Sequence, residues 1–294
     1  MKIIGEGSEA TIQIVTARAD QFHVKRFESM TGVTPAIFMP WHCLPHLFLS
    51  NHKGTDKLKT CHDLKYLKTN AGLTAVRSFL SSNGLGNDFD QINQDHVTSI
   101  EIDTFGYNTD SPFFPYFNYL DETISSLPDW LREKYDRLVA IVIPRKYKPG
   151  ITAKADGSGL SSIHFRKVAF LSLPTTTDSK NQFLLNYAHE AGHQALHNLQ
   201  HFDQIIYNGL ETMVHSRIRG HKRPAIQSFH ALIAIGYMLE LATHIQPRDS
   251  LSANFWCTIK TKLKQLLALG ISDFDHIKFT PVGSNLLKQL KSVA

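Results

Sequence analysis

His189-Glu190-Ala191-Gly192-His193 decides how this chain is read. Around it, Asn181 to Gln200 carries Phe183, Leu184, Tyr187, Ala188, Ala191, Ala195, Leu196 and Leu199 in a stripe close to the 3.6-residue period, with no proline. The stretch therefore predicts a helix. On a helix, side chains at i and i+4 share a face, so both imidazoles reach one metal ion without straining the backbone. Gly192 is the one weak helix former, costing up to about 1 kcal/mol relative to alanine. That cost is expected where a ligand or another backbone must come close.

Working outward, the motif helix follows Pro174-Thr175-Thr176-Thr177-Asp178. Upstream, Leu138 to Ile143 and Ile163 to Leu173 read as apolar strands, separated by the glycine-rich loop Ala155-Asp156-Gly157-Ser158-Gly159. Downstream, Ala225 to Thr243 is nearly continuous in apolar residues, which predicts a helix buried against the first; Pro247 ends that unit. An amphipathic helix from Leu251 to Leu269 comes next. A last helix is opened by Thr280-Pro281, an N-cap and first-turn pair. Near the N-terminus, Lys2 to Ile4 and the alternating Thr11 to Ala17 read as strands. Gly5-Glu6-Gly7 is a turn, lacking the third glycine of a dinucleotide loop. His42 and His46 have Pro45 between them, which argues against a helical metal pair. Asp63 to Leu80 suggests a helix ended by the turn-rich stretch Ser81 to Asp88, and Asp110 to Phe117 is too proline-rich for regular structure.

The expected architecture is α+β: a mainly helical core bearing the metal site on a helix, plus a small sheet from the N-terminal and central strands. The expected organisation is a single catalytic unit over residues 1–294. Residues 1–130 form a mixed N-terminal part able to take a peptide, and 131–294 the metal-binding core.

Composition supports an ordinary globular protein. Of 294 residues, 42% are hydrophobic and 19% charged, which excludes disorder and collagen-like repeats. No apolar run approaches the roughly 20 residues that cross a bilayer, and Glu6 interrupts any signal peptide. Cys43, Cys61 and Cys257 are odd in number and scattered, which fits a reducing cytoplasm and neither a disulfide framework nor a metal knuckle. The net charge of +5 is dispersed. Lys57-Leu58-Lys59 and the lysines from Lys260 to Lys264 read as solvated helix faces, so neither nucleic acid nor a membrane is an expected partner, whereas an acidic peptide suits the sign.

Two histidines on one helix need a third protein ligand, and its identity separates the chemistries. Glu211, eighteen positions after His193, has the spacing of glutamate-type zinc peptidases. Glu190 would then be the general base that takes a proton from zinc-bound water. His230, at the start of the apolar helix, is the competing candidate. Ahead of it runs Ser216-Arg217-Ile218-Arg219-Gly220-His221-Lys222-Arg223-Pro224, in which two arginines four residues apart suggest a place for a dicarboxylate or other small acid.

The order HExxH, then S-x-x-R-x-x-x-R-P, then a histidine six residues past the proline and a long apolar helix resembles the HExxH motif domain family found with ribosomally made peptides. The resemblance covers roughly residues 138 to 290. It implies 2-oxoglutarate-dependent peptide β-hydroxylation at non-haem iron(II), using dioxygen, on a ribosomal precursor peptide. By position, it gives His189, His193 and His230 as metal ligands and Arg219 and Arg223 as the arginine pair that meets the cosubstrate. Glu190 then orients a ligand or holds a water rather than acting as a hydrolytic base. The family's usual proline-tryptophan between the serine and the first arginine is replaced here by Arg217-Ile218. Three imidazoles also suit zinc, so a zinc metallopeptidase with Glu190 as base is the alternative, and a closed, non-catalytic metal site the third reading.

Of the neighbours, His197 and His201 extend the same helix row and read as rim residues, whereas His164, His215 and His221 read as loop or surface histidines. Tyr187 and Tyr237 read as core aromatics that can also reach a cosubstrate. Arg145, ending a buried strand, is a further candidate for an acidic ligand.

Overall fold

The computed structural model describes residues 9–32, 34, 38, 100–102, 111–147, 155–157 and 159–294. The expected strand Lys2 to Ile4, the Gly5-Glu6-Gly7 turn, His42 and His46, the helix Asp63 to Leu80 and the turn Ser81 to Asp88 lie outside them. The chain divides into two units. One joins Met1–Ala19 with Tyr187–Ala294, and the other is Asp20–Asn186. The fold is α+β and mainly helical.

Helix α1 spans Glu9–Thr31, where sequence alternation suggested a strand over Thr11 to Ala17. The two-residue period there is short, whereas no glycine or proline interrupts the chain from Glu9 to Thr31. Ala19, His23 and Phe27 are all buried, a four-residue repeat that a helix satisfies over a longer span than a strand can.

Unit Asp20–Asn186 holds a four-stranded mixed sheet in the order β1-β2-β4-β3, with β1 Ile100–Ile102, β2 Ile141–Tyr147, β3 Gly159–Leu160 and β4 Val168–Ser172. β2 runs parallel to β4 from Ile141 opposite Val168 to Arg145 opposite Ser172, and β1 and β3 are antiparallel to their neighbours. β4 is buried along its whole length, as a parallel central strand should be. Helix α2, Phe114–Ser125, forms where prolines argued for irregular structure. Pro115 sits in its first turn, where the missing N–H has no partner to lose. Helix α3, Asp129–Leu138, takes Leu138 from the expected strand. Its buried face, Leu131, Tyr135 and Leu138, runs directly into the apolar residues of β2, which blurs the boundary in the sequence.

Helix α4, Ser179–Gln200, carries the HExxH motif and contains the boundary between the two units. A hairpin follows, β5 Met213–Ser216 pairing antiparallel with β6 His221–Pro224, turned by Gly220 at φ 72°. Helix α5 is Ala225–His244, α6 Ser250–Ile271, and α7 Pro281–Lys291, the last capped by Thr280, whose hydroxyl accepts from the Gly283 N–H. α5 is apolar and long enough to cross a membrane, but 83% of that window is packed inside the protein, the condition of a core helix. Phe229 of α5 meets Phe274 edge to face at 5.4 Å and Phe279 at a tilt at 5.1 Å, and Trp256 of α6 is buried.

Candidate metal centre

The site is built within the unit that joins Met1–Ala19 with Tyr187–Ala294, from α4, the β5–β6 hairpin and the first turns of α5. Helix geometry brings His189 and His193 to one face, with rings edge to face at 4.6 Å and Nε2 atoms 3.0 Å apart. Nitrogens at that separation fit neighbouring positions around one ion with bonds of about 2.1 Å. Glu190 is buried, with Oε1 4.0 Å from Nε2 of His189. Donor atoms of His189, Glu190 and His193 all lie within 4.8 Å of one another, the one such group of three among the described residues. Of the two candidates for the third ligand, Glu211 is exposed, and neither it nor His230 belongs to that group.

At Gly192 helix α4 runs close against the backbone of α5. A Cβ there would stand 2.7 Å from Cα of Ala234 and 3.3 Å from the Ile233 carbonyl oxygen. The mid-helix glycine is therefore a packing requirement, and it brings α5 close enough for His230 to join the cluster. His230 meets His193 at the nitrogen away from His189: the two Nδ1 atoms are 3.3 Å apart. Its Nε2 lies 2.9 Å from Oε1 of Gln200. His197, one turn past His193, stacks obliquely on His230 at 4.6 Å and places its Nδ1 3.1 Å from the same Gln200 oxygen. The four imidazoles thus form a continuous row. Gln200 was not among the residues singled out from sequence; its relation to His197 at i+3 is visible in a helix pattern, but its contact with His230 needs the packing of α4 on α5.

The arginines arrive from the hairpin. Arg217 is committed to structure: its backbone N–H donates to Asp273 at 2.9 Å, its Nε pairs with the same carboxylate at 3.3 Å, and Nη1 donates to Ser272. Arg217 is thus a tether between the hairpin turn and the end of α6. Arg219, in the turn, makes no side-chain ion pair or hydrogen bond among the described residues. Arg223, on β6, donates among the described residues only to the neutral Oε1 of Gln227, at 3.3 Å. Neither guanidinium is neutralised by a carboxylate among those residues.

Their fields reach the histidines. His189 is lowered to about 4, by burial first and by the Arg219 charge second. His193 is held well below its ordinary value by burial, then by His189, His230, His197 and Arg219. His230 is lowered by burial, then by His197 and Arg223, and the Arg223 guanidinium is itself lowered by burial and by Arg219. All three imidazoles are therefore neutral near pH 7 and carry the lone pair a metal ligand needs.

Tyr187 and Tyr237 are buried, and His215 and His221 are exposed. His164 contacts Arg26 at 2.7 Å and, like the buried Arg145 of β2, belongs to unit Asp20–Asn186. Compared with known protein families and with curated proteins, the chain matches none.

Proposed function

We propose that this protein is a non-haem iron(II), 2-oxoglutarate-dependent oxygenase that hydroxylates the β-carbon of a residue in a ribosomally synthesised precursor peptide, acting in the cytoplasm. The observation that carries the reading is the pair of guanidiniums, Arg219 and Arg223, left without carboxylate partners beside a histidine cluster suited to a cation. Fixed positive charge next to a divalent ion weakens ion binding unless an anion lies between them. A keto diacid supplies two negative charges: one carboxylate for the arginines and one for the metal. Hydrolysis of a peptide has no comparable need.

In this reading His189, His193 and His230 hold the iron, and Arg219 and Arg223 receive the far carboxylate of 2-oxoglutarate. The bound iron supplies a centre at which dioxygen and 2-oxoglutarate are converted to succinate and carbon dioxide, with the second oxygen atom passing to the peptide carbon. The protein's own residues bind, orient and neutralise. Glu190, buried against His189, orients that ring or a bound water.

Protein prepared without oxygen is expected to bind iron(II) and to develop a weak visible absorption band on adding 2-oxoglutarate. Incubated in air with its precursor peptide, it should raise the peptide mass by one oxygen atom. Absence of both the band and the mass shift in iron-loaded protein overturns the proposal. A second reading, zinc metallopeptidase, is favoured by one feature: a buried carboxylate, Glu190, lies beside the first histidine, 4.0 Å from its Nε2, where a base for a metal-bound water would be sought. Zinc retention with peptide cleavage that is lost in Glu190→Gln would select it.

A further inference from the structure

The row of imidazoles ends on a single amide oxygen, and that ending has chemical consequences along the whole row. Oε1 of Gln200 is 2.9 Å from Nε2 of His230 and 3.1 Å from Nδ1 of His197. An amide oxygen only accepts, so both rings must present N–H to it. A neutral imidazole, the form a metal ligand takes, has one N–H to give. In His230 that proton lies on Nε2, and Nδ1 is left as a bare lone pair. Nδ1 of His193 stands 3.3 Å from it and must be the donor in that contact. The single proton of neutral His193 is then on Nδ1, which leaves Nε2 unprotonated at the point where it faces Nε2 of His189, 3.0 Å away.

The opposite setting is as informative. With the amide nitrogen of Gln200 turned towards the rings, His230 would carry its proton on Nδ1 and donate to His193. His193 would then be protonated on Nε2, the atom needed for the ion. Hydrogen bonds along the string thus allow two consistent settings, and one of them blocks the metal.

We propose that Gln200 is a positioning residue for the metal centre: its side-chain oxygen holds His230 in the Nε2–H tautomer, so that Nδ1 of His230 accepts from Nδ1 of His193 in the metal-free protein and Nε2 of His193 is left with its lone pair open to a cation. The inference rests on the metal-centre reading above. Outer-shell groups that fix the tautomer of a ligating histidine commonly contribute 10- to 100-fold to metal affinity.

The test uses the full chain with cobalt(II) alone as the metal probe, alongside nitrogen NMR of histidine-labelled, metal-free protein. Gln200→Leu removes the acceptor and should weaken cobalt binding by roughly 10- to 100-fold, with His230 no longer held as its Nε2–H form. Gln200→Glu keeps an acceptor in place and should retain wild-type affinity and the same tautomer, a rescue that a merely space-filling role for Gln200 does not predict. Should the leucine variant fail to fold, Gln200→Asn, one methylene short of His230, is expected to show the same loss. Unchanged cobalt affinity and an unchanged His230 tautomer in a folded Gln200→Leu protein would overturn the proposal. Wild-type protein that binds no cobalt would defeat the metal reading instead, and the tautomer spectra would still decide whether Gln200 sets the proton on His230.

Discussion

Replacing Arg219 and Arg223 together with alanine is expected to abolish 2-oxoglutarate binding while leaving the metal in place. Each guanidinium offers charge-assisted hydrogen bonds to a carboxylate, worth about 1.5–3 kcal/mol apiece. At 1.4 kcal/mol per tenfold, loss of both predicts a fall in affinity of roughly 100-fold or more. Metal affinity without the cosubstrate should hold or rise. The Arg219 charge contributes to the lowering of His189 and His193, and that of Arg223 to the lowering of His230, so their removal relieves repulsion at the cluster. Opposite movement of the two affinities is the signature of an anion site built beside a cation site. Calorimetric titration of anaerobic iron(II) protein with 2-oxoglutarate, and of metal-free protein with cobalt(II), measures both. A double variant that binds the keto acid as tightly as wild type would remove the arginines from the site. Arg217→Ala serves as the contrast: its side chain is tied to Asp273 and Ser272, and its loss should loosen the hairpin without the same effect on the keto acid.

The parts of this arrangement legible in the sequence are those fixed by local period. The i, i+4 spacing of His189 and His193 on an apolar-striped helix predicts their shared face, and Thr280-Pro281 predicts the start of α7. α5 and α6 follow from their apolar patterns to within a few residues. Thr11 to Ala17 misleads because a short β-like alternation lies inside a longer helical stripe, and Asp110 to Phe117 because proline breaks a helix only when it falls past the first turn. The hairpin Met213–Pro224 is written in polar and basic residues without a strong two-residue period, so its strands are hidden while its arginines are not. The Gln200–His230 contact depends on where α5 crosses α4, which no local period encodes.

That crossing gives the second large effect, Gly192→Ala. Helix propensity alone predicts a gain of up to about 1 kcal/mol for this exchange. Packing predicts the reverse. The new methyl would lie 2.7 Å from Cα of Ala234, where carbon atoms settle at about 3.5–4.0 Å, and the atoms it meets are backbone, which cannot swing aside. Overpacking of this kind costs about 1–3 kcal/mol, so the net result should be a lower melting temperature despite the better helix former. The larger consequence falls on the metal centre. Ala234 lies one turn after His230 on α5, and Gly192 adjoins His193 on α4, so parting the helices at this point opens the 3.3 Å contact between the two rings. Cobalt(II) affinity should drop at least tenfold, by more than the stability loss by itself would suggest, because the ring of His193 loses the His230 contact that orients it. A Gly192→Ala protein that melts higher and binds cobalt unchanged would show that helix propensity outweighs the crossing, and that the cluster of His189, His193 and His230 does not depend on how closely α4 and α5 approach.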